Sequence, residues 1–171
     1  MTDTATPTAP VAPTGPLLRD PDAPTPPNRA SFTWSDARLL GFKPMDDTHE
    51  DFYRVAQQLL LCDAGSMLEA IDAFEQHAVE HFELEDEWMR STGFPPRDCH
   101  IEEHAAVLAS VREVKALLAS GERGPELAHD FALYLFEWFP GHADYLDSAL
   151  AAWMSKQRHG GKPVVLRRRL D

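Results

Sequence analysis

The sequence predicts an all-α protein, an antiparallel up-and-down four-helix bundle with a disordered tail at each end. Three observations lead there. Apolar residues recur at helical spacing through four long segments. Short breaks rich in Gly, Pro, Asp or Ser separate those segments. Outside residues 31–156 the composition becomes tail-like: Pro, Thr and Ala dominate residues 1–30, and residues 157–171 carry a basic run, Arg167, Arg168 and Arg169. The full 171 residues suit one domain with a proper core.

The first helix is read at roughly 46 to 63, in "DTHEDFYRVAQQLLLC", where Phe52, Val55, Ala56, Leu59 and Leu60 form an apolar stripe. "DAGS" ends it, and Ser66 with Glu69 three residues later reads as a capping box opening the second helix, roughly 67 to 91. "TGFPPRD" breaks the chain again. The third helix is read at roughly 97 to 119, stopping near Gly121. Pro125 suits a first helical position, and the fourth helix is read at roughly 125 to 155. Pro140 and Gly141 interrupt that helix. An interior proline costs about 3 kcal/mol and a glycine about 1 kcal/mol relative to alanine, so a kink or local bulge is expected there.

With 43% hydrophobic and 26% charged residues the chain reads as a soluble globular protein. Its formal charge of −12 argues against nucleic acid and against anionic membrane surfaces, both of which need a basic face. No apolar run approaches the length of a membrane span. The opening "MTDTATPTAPVAPTGP" has neither a basic head nor an apolar segment of the kind a secretory signal carries, so a cytoplasmic location is expected. Two cysteines, Cys62 and Cys99, fall at opposite ends of the predicted bundle and predict no disulfide.

Ligand chemistry concentrates at one level. His81 and Glu85, and again His100 and His104, are four apart, which puts each pair on one helical face. His142 and Asp147 are five apart and diverge by about 140° around an α-helical axis. His49 lies near the start of the first helix. Counted through alternating helix directions, all seven fall within about 15 Å of the same end of the bundle. Five imidazoles and two carboxylates are too rich in nitrogen for calcium or magnesium, lack the sulfur of a thiolate zinc site, and exceed the needs of one tetrahedral ion. Two iron ions fit, with two manganese ions as the alternative. His77, one turn before His81, is read as a packing residue or a support for a ligand; His129 is read as a surface residue. Asp46 is assigned either to a hydrogen bond on a ligand imidazole or to capping the first helix.

The stretches "FTWSDARLLGF", "MDDTHEDFY", "HFELEDEWM", "CHIEEHAAV" and "WFPGHADYLD" resemble the hemerythrin family, in its bacterial branch, from about Phe32 to Met154. The family pattern of His, His-Phe-x-x-Glu, His-x-x-x-His and His-x-x-x-x-Asp is complete here. The resemblance implies a non-heme, oxo- or hydroxo-bridged di-iron centre. His100, His104 and His142 would hold one iron, His49 and His81 the other, and Glu85 and Asp147 would bridge both. The second iron is then one ligand short, and the family binds dioxygen reversibly at that position. The implied role is oxygen carriage, storage, delivery or sensing rather than catalysis. Histidine stands where ferritin-like di-iron oxidases use carboxylates, so the site carries fewer negative charges and favours ferrous iron. Phe52, Leu84, Trp88, Leu108, Trp138 and Tyr145 stand one turn from ligands and are the expected dry lining. Thr48 and Asp86 depart from the residues the family often places there. The alternatives are a di-iron enzyme acting on peroxide or nitric oxide, or an oxygen- or redox-sensing module that contacts a protein partner through its N-terminal tail.

Overall fold

The computed structural model describes residues 32–161; the two predicted tails lie outside them, apart from the first residues of the second. Among the described residues there are helices and no strands. A short 3-10 turn, Asp36–Arg38, precedes α1 (Lys43–Leu61), α2 (Met67–Thr92), α3 (Arg97–Ala119) and α4 (Pro125–His142). A π-helical turn, Ala143–Asp147, then leads without a break into α5 (Ser148–His159). The last three form one rod, so the bundle has the four predicted members. α1 packs on α2 and α4, and α3 closes the square against α2 and α4. No helix among the described residues is long and apolar enough to cross a membrane.

Local chemistry sets the helix ends. α1 starts three residues earlier than the apolar stripe predicts, because Pro44 occupies its first turn without cost there. Asp46 does not meet an imidazole. Its carboxylate accepts the N–H groups of Leu40 at 2.7 Å and Gly41 at 3.1 Å, fastening the entering loop to the first turn. The predicted capping box at Ser66 and Glu69 does not form: Ser66 makes no side-chain cap bond to α2. Asp63 organises the corner instead, accepting the N–H groups of Gly65 at 2.9 Å and Ser66 at 3.0 Å. An aspartate that can bond the amide two residues on outcompetes a cap further along. α2 ends at Gly93, whose φ of +66° belongs to the left-handed region, with Phe94 N–H donating back to the Met89 carbonyl. His129 is not a free surface residue. Its Nε2–H donates to the Cys62 carbonyl at 2.7 Å and ties α4 to the end of α1.

The core forms two apolar layers. The larger contains Phe52, Phe74, Phe82, Val107, Phe131 and Phe139 among others. The smaller is built from Phe42, Met45, Trp88, Met89, Phe94, Leu150, Ala151 and Met154. Along α1 and α2 the chain passes through polar residues between one layer and the other: His49 lies between Met45 and Phe52, and Glu85 between Phe82 and Trp88. The bundle therefore holds a polar slab enclosed by apolar packing above and below.

Candidate metal centre

The slab brings together all seven predicted ligands. His49 comes from α1, His81 and Glu85 from α2, His100 and His104 from α3, His142 from the end of α4 and Asp147 from the π turn. All seven are buried. Ligand atoms of Glu85, His100, His104, His142 and Asp147 lie within 4.8 Å of one another, as do those of His49, His81 and Glu85, and each group could hold a metal ion.

The two carboxylates divide their oxygens between the groups. Glu85 Oε1 faces Nε2 of His81 at 3.1 Å and of His49 at 3.6 Å, while Oε2 faces Nε2 of His104 at 3.4 Å and of His100 at 3.7 Å. Asp147 Oδ2 faces His49 Nε2 at 3.3 Å, while Oδ1 faces Nε2 of His100 at 3.0 Å and of His142 at 3.3 Å. Each carboxylate thus reaches both histidine sets with a different oxygen.

His81 Nε2 pairs with Glu85 Oε1, and His100 Nε2 with His142 Nε2, each at 3.1 Å, but the remaining donor atoms converge without satisfying one another. Nε2 of His49 and His104, Oε2 of Glu85 and both oxygens of Asp147 are buried and make no hydrogen bond within the protein. Such groups cost roughly 1–3 kcal/mol each when left unpaired. A pair of cations between the two carboxylates satisfies them together, so the residues present fit a two-metal centre.

Protons reflect the same crowding. Burial disfavours the charged His49 ring, but Asp147 and Glu85 outweigh it and push the group up to about 9. At His142 burial is likewise outweighed, here by Asp147, Glu103 and Glu85, to about 10. Burial wins at His81 and His100, which are lowered. It loses at His104, which Asp86 and Glu85 raise. Burial, and the Asp147 charge beside it, would raise the Glu85 carboxyl; the histidines around it prevail and hold it well below its usual range. Asp147 is held low in the same way, against burial, by His142, His100 and His49.

The π turn corrects one reading of the sequence. In an α-helix His142 and Asp147 would diverge. A π turn accommodates one more residue before repeating, so five positions return the side chain to nearly the same face. The predicted bulge therefore exists, but just beyond Pro140 and Gly141, and α4 runs through the proline itself.

The predicted lining residues divide by position. The Trp138 ring lies 4.5 Å from the His142 ring, and Phe52 stacks at 4.0 Å on Phe139, which meets His49 edge-on at 4.9 Å. Trp88 is buried in the smaller apolar layer, and Leu108 is half-buried beside the larger one. Leu84 and Tyr145 are exposed, at 39% and 53%, and take no part in a dry lining. Each is close to a ligand in sequence but points around the rod from it. Two rings outside the predicted lining also meet the slab: Phe82 stacks on His104 at 4.1 Å with planes 7° apart, and Phe139 stands one turn before His142. His77 lies outside both ligand groups, its ring 5.5 Å from that of His81. Burial and the nearby His81 push it down to about 4.

A cavity of about 250 Å³ opens beside His49, lined by Trp34, Arg38, Tyr53, Phe139, Pro140 and Asp144 among others. The Tyr53 hydroxyl is buried without a hydrogen-bond partner, and burial pushes it up to about 12.

Comparison with known proteins agrees with this centre. Residues 40–154 match the family model described as "Hemerythrin HHE cation binding domain". The chain is 34% identical over 124 residues to a bacteriohemerythrin of Ralstonia nicotianae (strain ATCC BAA-1114 / GMI1000), covering 72% of this chain and 89% of that protein. It shares its fold with a crystal structure of wild-type hemerythrin at a TM-score of 0.64 and 20% identity, over 70% of this chain and 98% of the other. A crystal structure of a point mutant matches with the same TM-score at 21% identity, over 70% of this chain and 97% of its own. With the seven-residue pattern, the enclosed donor set and these matches in hand, the chain belongs to the hemerythrin family.

Proposed function

We propose that the bundle holds two iron ions and binds dioxygen reversibly, serving in carriage, storage, delivery or sensing rather than as an enzyme. One observation carries the reading: Glu85 and Asp147 each turn one oxygen to a three-histidine group and the other to a two-histidine group. His100, His104 and His142 complete one subsite, while His49 and His81 leave the other poorer by an imidazole. A bound ferrous pair supplies the two electrons that dioxygen takes up and returns. Imidazole suits iron, and the carboxylates suit bridging. The cavity opens on the two-histidine side, where a small gas must arrive. Phe139, Phe82 and Trp138 exclude water from the rings they touch, which protects ferrous iron from loss by oxidation. Free Cys62 and Cys99 fit a reducing cytoplasm.

Iron analysis with visible spectra under air and argon tests this. Two irons per chain and bands that come with oxygen and go with argon are the expected result. A single zinc, or immediate irreversible oxidation in air, overturns it. A second reading, a di-iron enzyme acting on peroxide or nitric oxide, draws support from the polar residues Arg38 and Asp144 in the wall of the cavity beside His49. Turnover of peroxide with a reducing dye, far above the rate of free iron, would favour it.

A further inference from the structure

We propose that Asp86 and Glu103 are positioning residues that make the three-histidine subsite the tighter of the two, so that it fills first and empties last. The inference rests on the reading that both groups hold metal. Asp86, on α2 beside Glu85, reaches across to α3, where His104 Nδ1–H donates to its Oδ1 at 2.9 Å. Its other oxygen accepts from Arg90 Nη2 at 2.9 Å, which fixes the carboxylate in direction. Glu103, on α3, reaches across to α4, where His142 Nδ1–H donates to its Oε2 at 3.3 Å. Both carboxylates are largely buried, at 14% and 16% side-chain exposure, so neither bond is dissolved by bulk water.

The other subsite has no such support. Among the described residues Nδ1 of His49 and Nδ1 of His81 make no hydrogen bond, and those two rings are the subsite's whole imidazole supply. In the three-histidine group only His100 lacks a partner on Nδ1. A carboxylate on Nδ1–H fixes the tautomer that presents Nε2, fixes the ring's angle, and strengthens the ring as a donor. Losing such a partner typically weakens metal affinity by about 10–100-fold. Two supported rings against none therefore separate the subsites by more than the third imidazole alone. Asp86 thus has a task in this chain although it departs from the usual family residue.

The test uses full-length, iron-loaded protein titrated with a chelator under argon, following iron loss by absorbance. The wild type should empty in two steps. Asp86→Asn should weaken the later step by about 10–100-fold and leave the earlier one unchanged, and Glu103→Gln should do the same from the neighbouring helix. In the NMR spectrum of the ferrous protein, the exchangeable His104 N–H signal should exchange faster in Asp86→Asn and recover in Asp86→Glu, a readout that loss of packing alone would not move. If wild type holds no iron, the metal reading and this inference fall together. If two irons leave in a single step, or the substitutions shift the earlier step or neither, this inference falls and the metal reading stands.

Discussion

His142 Nε2 stands 3.3 Å from Asp147 Oδ1 across a single π-helical turn. The turn follows directly on Pro140, which has no N–H to return to the Phe136 carbonyl one turn earlier. The helix nevertheless remains α through the proline and relaxes just after it, where the wider spacing aims both ligands into the slab. Ser148 N–H donates to the Ala143 carbonyl and closes the turn. The irregular backbone thus sits where the candidate metal centre brings two residues of one rod to face the same way.

Replacing Pro140 restores a hydrogen bond without touching a ligand. An interior proline costs about 3 kcal/mol, and its rigidity in the unfolded chain gives back about 1 kcal/mol. Pro140→Ala should therefore raise stability by about 2 kcal/mol in a urea titration, with iron content unchanged. A lower urea midpoint would contradict the accounting. A lost iron would show that the proline, rather than the sequence after it, sets the π turn.

Metal uptake should release protons. Without metal, His49 at about 9 and His142 at about 10 are both protonated at pH 7. A metal needs their lone pairs, so each proton must leave. Raised values mean that the protonated rings dominate below about 9, so affinity should climb with pH from 7, by about 100-fold per pH unit for two protons, and level off above about 10. The metal-free fold behaves in the opposite sense. Its gain from the raised histidines is complete below the ordinary 6.5 and is lost as pH rises through about 9 for His49 and about 10 for His142. Titration in weakly buffered solution measures the released protons; uptake without release would show that other groups balance Glu85 and Asp147.

Much of this candidate centre is legible in the sequence because most of its predicted ligands obey α-helical spacing. His81 with Glu85 and His100 with His104 need only a period of 3.6 residues to share a face. His142 and Asp147 failed that arithmetic because the period itself changes at the π turn, a backbone event that Pro140 signals only approximately. Leu84 and Tyr145 were misplaced because nearness to a ligand along the chain does not give direction around the rod. The sequence marks Asp86 only as a departure from the family and gives no sign of Glu103, because each meets a histidine of the next helix and cross-helix contacts leave no spacing in the sequence. Asp63 displaced the predicted Ser66 cap by a competition between local bonds that composition alone does not rank.

Opening the wall beside His49 separates packing from protection. Phe139 is buried, stacks on Phe52 and touches His49, and it also lines the 250 Å³ cavity. Phe139→Ala should cost about 3 kcal/mol, the low end for a buried phenylalanine, because the new space joins one that already exists. Oxidation of the reduced iron by air should accelerate as water reaches the site. Denaturation and stopped-flow absorbance measure the two effects. A loss of stability with unchanged oxidation would make Phe139 a packing residue alone.

Removing one bridging carboxylate should dismantle the centre and spare the scaffold. Among the described residues Glu85 is the one carboxylate shared by both candidate ligand groups. Its neighbours on α2, Phe82 and Met89, bury themselves in the two apolar layers independently of any metal. Alanine also has the highest helix propensity, so α2 loses nothing intrinsic at that position. Glu85→Ala therefore should fold with nearly unchanged circular dichroism while iron falls well below two per chain. It leaves His81 and His104 without a shared anion, so the remaining metal should be released readily to a weak chelator. Full occupancy in this variant would mean that Asp147 alone spans the two histidine groups, and the symmetric division of carboxylate oxygens would lose its meaning.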